Sequence, residues 1–305
     1  MTYARRLQRA ASRPQSTGTD DDTPVDLATY VYLDATNTGL AGVGLTEDDL
    51  TVYSGPTLVV QDNGPFVVEN AIINQDVRFN TTGSVTLRKC KLNGHIDASV
   101  SGATIIIEDC DIDAGTYSNA AISMGGSVNS RVSRCHIQGG EAAVFVGDNS
   151  VVEDCYVHGQ YVAPGEATHT GGITAFGADG AIIRHCTILN DSIDNDAGGG
   201  PTADFEIFGD FAPNNNILTE YCYIPATAGG YAVSLGYNPS KPYGTNPTNI
   251  VFRHNIFGRG TNGKGGAFGT VTSWLDDAGD GVTGVGNLYY DNIWQDTGDP
   301  VPANL

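Results

Sequence analysis

An all-β solenoid is the fold class that this sequence predicts, and three observations support it. Glycine accounts for 40 of the 305 residues, while charged residues make up only 16%. That composition suits a chain that turns often and buries many short strands. One short phrase recurs along the chain, and all six cysteines occupy the same position of that phrase. Repetition with a period of a few tens of residues is typical of stacked-repeat architectures.

The repeated phrase consists of two short apolar segments joined by two polar residues and a cysteine, as in Val85-Thr-Leu-Arg-Lys-Cys90-Lys-Leu92. Apolar residues lie five and three positions before the cysteine and two positions after it, which is the alternation of a strand on each side of a bend. We call the repeated position the slot, and it holds Ala71, Cys90, Cys110, Cys135, Cys155, Cys186, Cys222 and Asn255. From Cys90 to Asn255, the spacings between successive slots are 20, 25, 20, 31, 36 and 33 residues.

A second family of apolar segments follows the slot, in Ala121–Gly125, Ala143–Gly147, Gly172–Gly177 and Ala232–Gly236. Each coil then has two or three short strands and cannot bury its own apolar side, whereas stacking coils about 4.8 Å apart buries it. We therefore predict a single right-handed parallel β-helix of roughly eight or nine coils over residues 25–305. Its variable insertions, which are longest between Cys155 and Asn255, should project as loops.

The slot should form an inward-facing ladder of small side chains. Neighbouring slots would lie only about 5 Å apart, which does not forbid disulfide bonds. We expect reduced thiols, because the slot faces the core and no apolar segment of a secretory signal follows the N-terminal arginines. No CxxC or HxxxH spacing supports a zinc site.

The charge of the chain is unevenly distributed. The net charge is −20, yet a short N-terminal arm over residues 1–24 carries Arg5, Arg6, Arg9 and Arg13. The rest of the chain has 11 basic and 35 acidic residues, and such an acidic body disfavours nucleic acid as a partner. No apolar stretch approaches the roughly 20 residues of a membrane span, and we expect folding in a cytoplasm. The arm should dock on an acidic partner in an assembly.

The opening and closing phrases carry a family resemblance. These are Asn37-Thr-Gly-Leu40, Leu50-Thr-Val-Tyr-Ser-Gly-Pro56, and the segment from Gly286-Asn287 to Asn292-Ile-Trp-Gln-Asp-Thr-Gly298. From Asn37 to about Pro302 the chain resembles the right-handed parallel β-helix proteins of actinobacteria and their bacteriophages, which in phages are minor tail proteins. The resemblance implies a virion protein that is assembled in the host cytoplasm, contacts other virion proteins and displays its rod toward the host envelope.

The same resemblance bears on catalysis. The family often carries a His-Ser-Asp-Gly phrase on a middle coil, and here it reads His169-Thr170-Gly171-Gly172. An aspartate that supplied chemistry in a relative would be absent at Gly171. This favours a structural or glycan-binding role. The alternative is a polysaccharide lyase or glycoside hydrolase that acts on envelope polysaccharide.

Candidate catalytic residues are Asp204, Glu206, Asp210 and His169. Asp204 and Glu206 are two positions apart on a predicted strand, so both should point to one face about 6.5–7 Å apart. Sugar-cleaving enzymes use paired carboxylates, but this distance lies between the spacings typical of retaining and inverting glycosidases and decides nothing by itself. We expect Glu206 to face solvent, since an unpaired buried carboxylate is costly. His169 is a candidate general base or a ligand for a sugar hydroxyl, or a histidine held in a long turn.

Candidate sugar-binding rings lie in the part of the chain with long insertions, at Tyr161, Phe208, Phe211 and Tyr237. Exposed rings beside carboxylates are typical of saccharide grooves, but they also cover loops or subunit contacts. No cofactor is expected. Calcium is the one candidate ion, at the oxygen-rich loop with Asp191, Asp194 and Asp196. The sequence leaves both a monomer and a homotrimer open.

Overall fold

The computed structural model of the protein describes residues 22–55, 58–60, 65–79, 82–99 and 102–304. Its strands form three parallel sheets, which we name A, B and C, and each turn of the chain adds one strand to each sheet in that order. Within the described ranges, sheet A has ten strands, and sheets B and C have nine strands each. The fold is a parallel β-helix with three strands per coil, which confirms the predicted class.

The elements have the following bounds. Sheet A comprises β1 (Thr51–Val52), β4 (Ala71–Ile73), β7 (Lys91–Asn93), β10 (Asp111–Asp113), β13 (His136–Gln138), β16 (Tyr156–His158), β19 (Thr187–Ile188), β22 (Tyr223–Ile224), β25 (Ile256–Phe257) and β28 (Ile293–Trp294). Sheet B comprises β2 (Val59–Val60), β5 (Val77–Phe79), β8 (Ile96–Asp97), β11 (Ala120–Ser123), β14 (Ala142–Phe145), β17 (His169–Ala175), β20 (Gly200–Ile207), β23 (Tyr231–Leu235) and β26 (Gly269–Thr272). Sheet C comprises β3 (Pro65–Glu69), β6 (Ser84–Arg88), β9 (Thr104–Glu108), β12 (Arg131–Ser133), β15 (Val151–Glu153), β18 (Ile182–Arg184), β21 (Leu218–Glu220), β24 (Val251–Arg253) and β27 (Leu288–Tyr290). A short α-helix, α1 (Gly39–Gly42), and a 3₁₀ turn (Glu47–Asp49) precede β1.

The bend between sheets C and A depends on a left-handed residue directly before each slot. These residues have φ between 46° and 55°, and they are Asn70, Lys89, Asp109, Arg134, Asp154, His185, Tyr221, His254 and Asp291. A left-handed non-glycine residue is uncommon and costs backbone energy. The bend retains its hydrogen bonds to the next coil, since Asp109 N donates to Ser133 O at 3.1 Å. The residue directly before the slot therefore makes the bend that the repeated phrase predicted between its two strands.

The slot side chains form the predicted inward ladder. All six cysteines are free and completely buried, which confirms reduced thiols. Cys90 N donates to Cys110 Sγ at 3.3 Å. Asparagines take over in the last coils, where Cys222 N donates to Asn255 Oδ1 at 2.9 Å and Asn255 N donates to Asn292 Oδ1 at 3.0 Å. At these steps the side chain of one slot residue accepts a hydrogen bond from the backbone N–H of the slot residue in the preceding coil. The bend leaves that N–H without a partner in the sheet.

Residues 22–50 form a strap along the outside of the rod, which we call the N-terminal strap. Asp22 pairs with Arg253 of β24 at 2.9 Å, near the last coils. Further along the strap, Leu40 N donates to Asp111 Oδ1 of β10 at 3.1 Å, and β1 then pairs with β4. The strap thus runs opposite to the direction in which the coils stack. The arginines of the predicted arm lie outside the described residues.

Candidate functional site

Four phenylalanine rings line the outer side of sheet B at its turn into sheet C, and we call them the aromatic stripe: Phe145, Phe176, Phe208 and Phe211. Phe145 ends β14, and Phe176 and Phe208 directly follow β17 and β20. The centroid distances are 5.0 Å from Phe145 to Phe176, 6.0 Å from Phe176 to Phe208 and 5.7 Å from Phe176 to Phe211. Phe211 is 77% exposed. Rings from three successive coils therefore make one continuous apolar surface.

A Phe-Gly pair ends two neighbouring strands of sheet B, and this explains the stripe. Ala175 is in register with Ile207, so Phe176-Gly177 lies beside Phe208-Gly209. Gly177 has φ of +123°, and a Cβ there would lie 2.6 Å from Ala212 N. The chain can turn sharply after each ring because glycine follows it. Sequence reasoning selected Phe208 and Phe211 but missed Phe145 and Phe176, although the repeated Phe-Gly pair was a visible signal.

An ion pair lies against the stripe. Asp210 accepts a hydrogen bond from Lys241 Nζ at 2.7 Å, and that Nζ lies 5.5 Å from the centroid of Phe208. Both side chains are partly exposed. A carboxylate and an ammonium group at the edge of an apolar surface can bond to hydroxyl groups of a ligand. Asp210 is thus part of the stripe's border.

The tyrosines of the long insertions lie at two different turns of the coil. Tyr237 and Tyr243 are exposed in the loop that follows β23, and Tyr243 N donates to Gly209 O at 2.9 Å beside the stripe. Tyr161 lies instead in the loop between β16 and β17, where its N–H donates to Gly140 O at 2.8 Å. The turn from sheet B to sheet C therefore holds Phe208, Phe211 and Tyr237, while Tyr161 lies at the turn from sheet A to sheet B.

Asp204 faces the interior of the coil, which corrects the expectation that it shares an outer face with Glu206. It is level with Gly172, where a Cβ would lie 2.7 Å from the Ile188 side chain of the core. Asp204 is completely buried, and Asn190 N donates to its Oδ1 at 2.6 Å. Burial raises the pKa of Asp204 well above its usual value. Burial therefore favours the uncharged form of its carboxyl group.

Glu206 is on the outer side of sheet B but is buried, so the expectation that it faces solvent was wrong. Its side chain folds over Gly171, where a Cβ would lie 2.5 Å from Glu206 Oε2. Thr174 Oγ1 donates to the same Oε2 at 3.1 Å, and Oε1 has no hydrogen-bond partner among the described residues. Burial raises the pKa of Glu206 to about 8. Gly171 thus makes room for the protonated carboxyl group of Glu206.

The other sequence candidates do not complete a catalytic group. His169 is the exposed first residue of β17, within a strand rather than a long turn. A hydrolytic pair needs two carboxyl groups that a sugar can reach. Asp204 and Glu206 are instead shielded from water on opposite sides of β20. Only Asp210 and His169 of the four candidates are accessible, and Asp210 is bound to Lys241.

The acidic loop after β19 divides its carboxylates among separate partners. Asp191 Oδ1 accepts a hydrogen bond from Gly159 N at 2.6 Å, Asp194 packs against Gly200, and Asp196 is exposed. Across the ranges that the structure describes, no group of three or more histidine, cysteine, aspartate or glutamate side chains could hold a metal ion. Within the described ranges, the three carboxylates of this loop therefore do not converge on one point.

The histidines near the slot differ in burial and in partners. His254 is completely buried and stacks on Tyr221 at 5.1 Å between centroids. His185 is partly buried and bonds to Asp154 Oδ1 at 2.6 Å. His136 and His158 bond to each other.

No family model, curated protein or solved structure matches the chain. Among the described residues, no helix has the length and apolar character needed to cross a membrane. The function is therefore inferred from the residues and their geometry.

Proposed function

We propose that the protein is a structural rod of a bacteriophage tail and that its aromatic stripe binds polysaccharide of the host envelope without cleaving it. The stripe is the observation that carries this proposal. Flat rings pack against the CH faces of sugars, and the neighbouring Asp210 and Lys241 offer partners for hydroxyl groups.

The direction of the stripe favours a polymer as the ligand. Its rings come from three coils, which stack about 4.8 Å apart along the rod. This spacing between coils is close to the length of one hexose unit in an extended glycan. A chain that lies along the rod would therefore meet one ring per coil.

Binding without cleavage is supported by the burial of the two carboxyl groups. Asp204 and Glu206 are both shielded from water, and burial raises the pKa of each. A buried acid on the inner side of β20 has no access to a glycosidic bond. The assignment to a phage tail has a different support, namely the resemblance of the opening and closing phrases together with the separate basic arm.

Phe211→Ala should weaken binding to solubilised envelope polysaccharide about 3- to 10-fold, as expected from the loss of one ring contact worth about 0.5–1.5 kcal/mol. Affinity electrophoresis of the two proteins in gels containing the polysaccharide measures the ratio. Phe268→Ala is the matched control, because Phe268 is 73% exposed in a loop before β26, away from the stripe. Equal loss in both variants, or in neither, contradicts the assignment of the stripe.

The same polysaccharide also separates binding from turnover. The wild-type protein should release no new reducing ends and no unsaturated sugars during long incubation. Release of either product would favour the hydrolase or the lyase and would overturn binding without cleavage.

A further inference from the structure

Two histidines of adjacent coils point their ring nitrogens at each other on the outer side of sheet A. His136 begins β13, and His158 ends β16. The Nε2 atoms lie 2.7 Å apart, and the rings are nearly parallel, with 10° between their planes. The neighbouring Ile137 and Val157 are buried in the core, so the imidazoles face outward.

Aromatic packing holds this pair in place. Tyr156 packs against both histidines, with its ring 5.5 Å from His136 and 4.5 Å from His158 between centroids. Both stacking angles are below 20°. Both histidines are half-buried, which leaves a path for a small ion from solvent. The rings are thus preorganised rather than free to rotate.

A carboxylate lies near the far nitrogen of one ring. Asp191 Oδ2 lies 3.9 Å from His158 Nδ1, and the other oxygen of Asp191 is fixed by Gly159 N. Metal-binding histidines commonly present their second nitrogen to a carboxylate, which fixes the tautomer that leaves Nε2 free as a ligand.

We propose that His136 and His158 form a two-imidazole site for a divalent transition-metal ion of the zinc class. Zinc binds imidazole nitrogen at about 2.0–2.1 Å, which places two ligand nitrogens of a tetrahedron roughly 3.3 Å apart. To admit the ion, the two Nε2 atoms would move apart by about half an ångström and the rings would turn so that both nitrogens face it. Imidazole also suits copper and nickel, whereas calcium prefers oxygen. With two protein ligands, water completes the coordination.

Isothermal titration of untagged, reduced protein with zinc chloride at neutral pH tests the proposal. The wild-type chain should bind a single accessible ion, and His136→Ala and His158→Ala should each abolish that binding. Asp191→Asn should weaken it about 10-fold, as expected for a residue that orients a ligand. His169→Ala is the matched control, because it removes an exposed histidine elsewhere and should leave the affinity unchanged.

The variants must be folded for these comparisons to count. Circular dichroism and melting temperature without metal check this, and His158→Gln is the substitute if the alanine variant unfolds, since glutamine retains polar packing. Absence of zinc binding by the folded wild-type protein at millimolar concentration overturns the proposal. Undiminished binding by a His136→Ala/His158→Ala double variant also overturns it, because the ion must then lie elsewhere.

Discussion

Glu206 shows how one side chain can be directed outward and still be isolated from water. Its neighbours across the coils, Thr174 and Ser234, are also buried, and Gly171 leaves the space into which the carboxyl group folds. The acid is neutral at pH 7, since burial raises its pKa to about 8. Its protonation therefore affects the stability of the rod and not a reaction at the surface.

Glu206→Gln should remove part of the pH dependence of stability. A raised folded-state pKa means that the stabilisation by the proton is complete below the unfolded value of 4.5 and is lost as pH rises through about 8. Urea unfolding of the wild-type chain should give a larger free energy near pH 5 than above pH 8. Asp204 contributes in the same direction and remains in the variant. The variant should therefore show a smaller change, and an unchanged pH slope would contradict the burial argument.

Cys135→Ala should cost about 1–2 kcal/mol of unfolding free energy, because it removes one sulfur atom from a packed column. Ile137→Ala removes more buried volume two positions later and should cost about 2–5 kcal/mol. Chemical denaturation compares the two variants. Native protein should also react slowly with a thiol reagent, since all six thiols are buried. Rapid labelling of several cysteines would contradict the ladder.

The slot could be predicted from sequence, whereas the orientation of Asp204 could not. Strict alternation places Asp204 and Phe205 on opposite faces, yet sheet B bends so that two consecutive residues face inward. Ala143 with Val144 shows the same pattern, and both are completely buried. Side-chain alternation holds within a straight strand only. A pair of adjacent apolar residues at the same place in other coils was the available signal of the bend.

The N-terminal strap is the element that holds successive coils together from outside. Tyr30 OH donates to Tyr221 O at 2.8 Å, and Val31 O lies 3.1 Å from His185 Nε2, so the strap covers the bends between sheets C and A. At its beginning Asp22 accepts hydrogen bonds from Arg253 and from Tyr290 OH. These contacts join residues more than 150 positions apart. No local pattern could predict them, and the sequence therefore suggested coil structure from residue 25 onward.

Asp22→Asn should lower the melting temperature at neutral pH by a small amount. Burial raises the pKa of Asp22, but hydrogen bonds from His254 and Tyr290 and the charge of Arg253 outweigh it and hold the pKa below its usual value. This stabilisation is present above the unfolded pKa of 3.8 and is lost as pH falls through the lower folded value. The side chain is 44% exposed, so the effect should stay within about 1 kcal/mol.

Calorimetry at neutral and strongly acidic pH measures this change, and the difference between variant and wild type should vanish in acid. Asp26→Asn is the control, because Asp26 Oδ1 accepts a hydrogen bond from Ala28 N within the strap itself. An equal loss in both variants would mean that the strap is stabilised locally rather than by its contact with the rod.

At the scale of the whole molecule, the strap brings residue 22 to the end of the rod that is completed last. The coils stack from β1 to β28, and residue 22 lies beside β24 and β27. The aromatic stripe spans the coils of β14, β17 and β20, toward the middle of the rod. The contact of Asp22 with the rod and the stripe therefore lie at different levels of the rod.

Deletion of residues 1–21 should leave the melting temperature nearly unchanged, because this polar segment has few apolar side chains to bury. The same deletion should abolish incorporation into phage particles in a complementation assay. Deletion of residues 1–24 should also lower the melting temperature slightly, since it removes the Asp22 carboxylate from Arg253. Replacement of Arg5, Arg6 and Arg9 by glutamate should weaken incorporation in a salt-dependent way, as expected of charge pairs. If the chain without residues 1–21 is incorporated as well as the full chain, the arm is a passive extension and the anchor must lie on the rod.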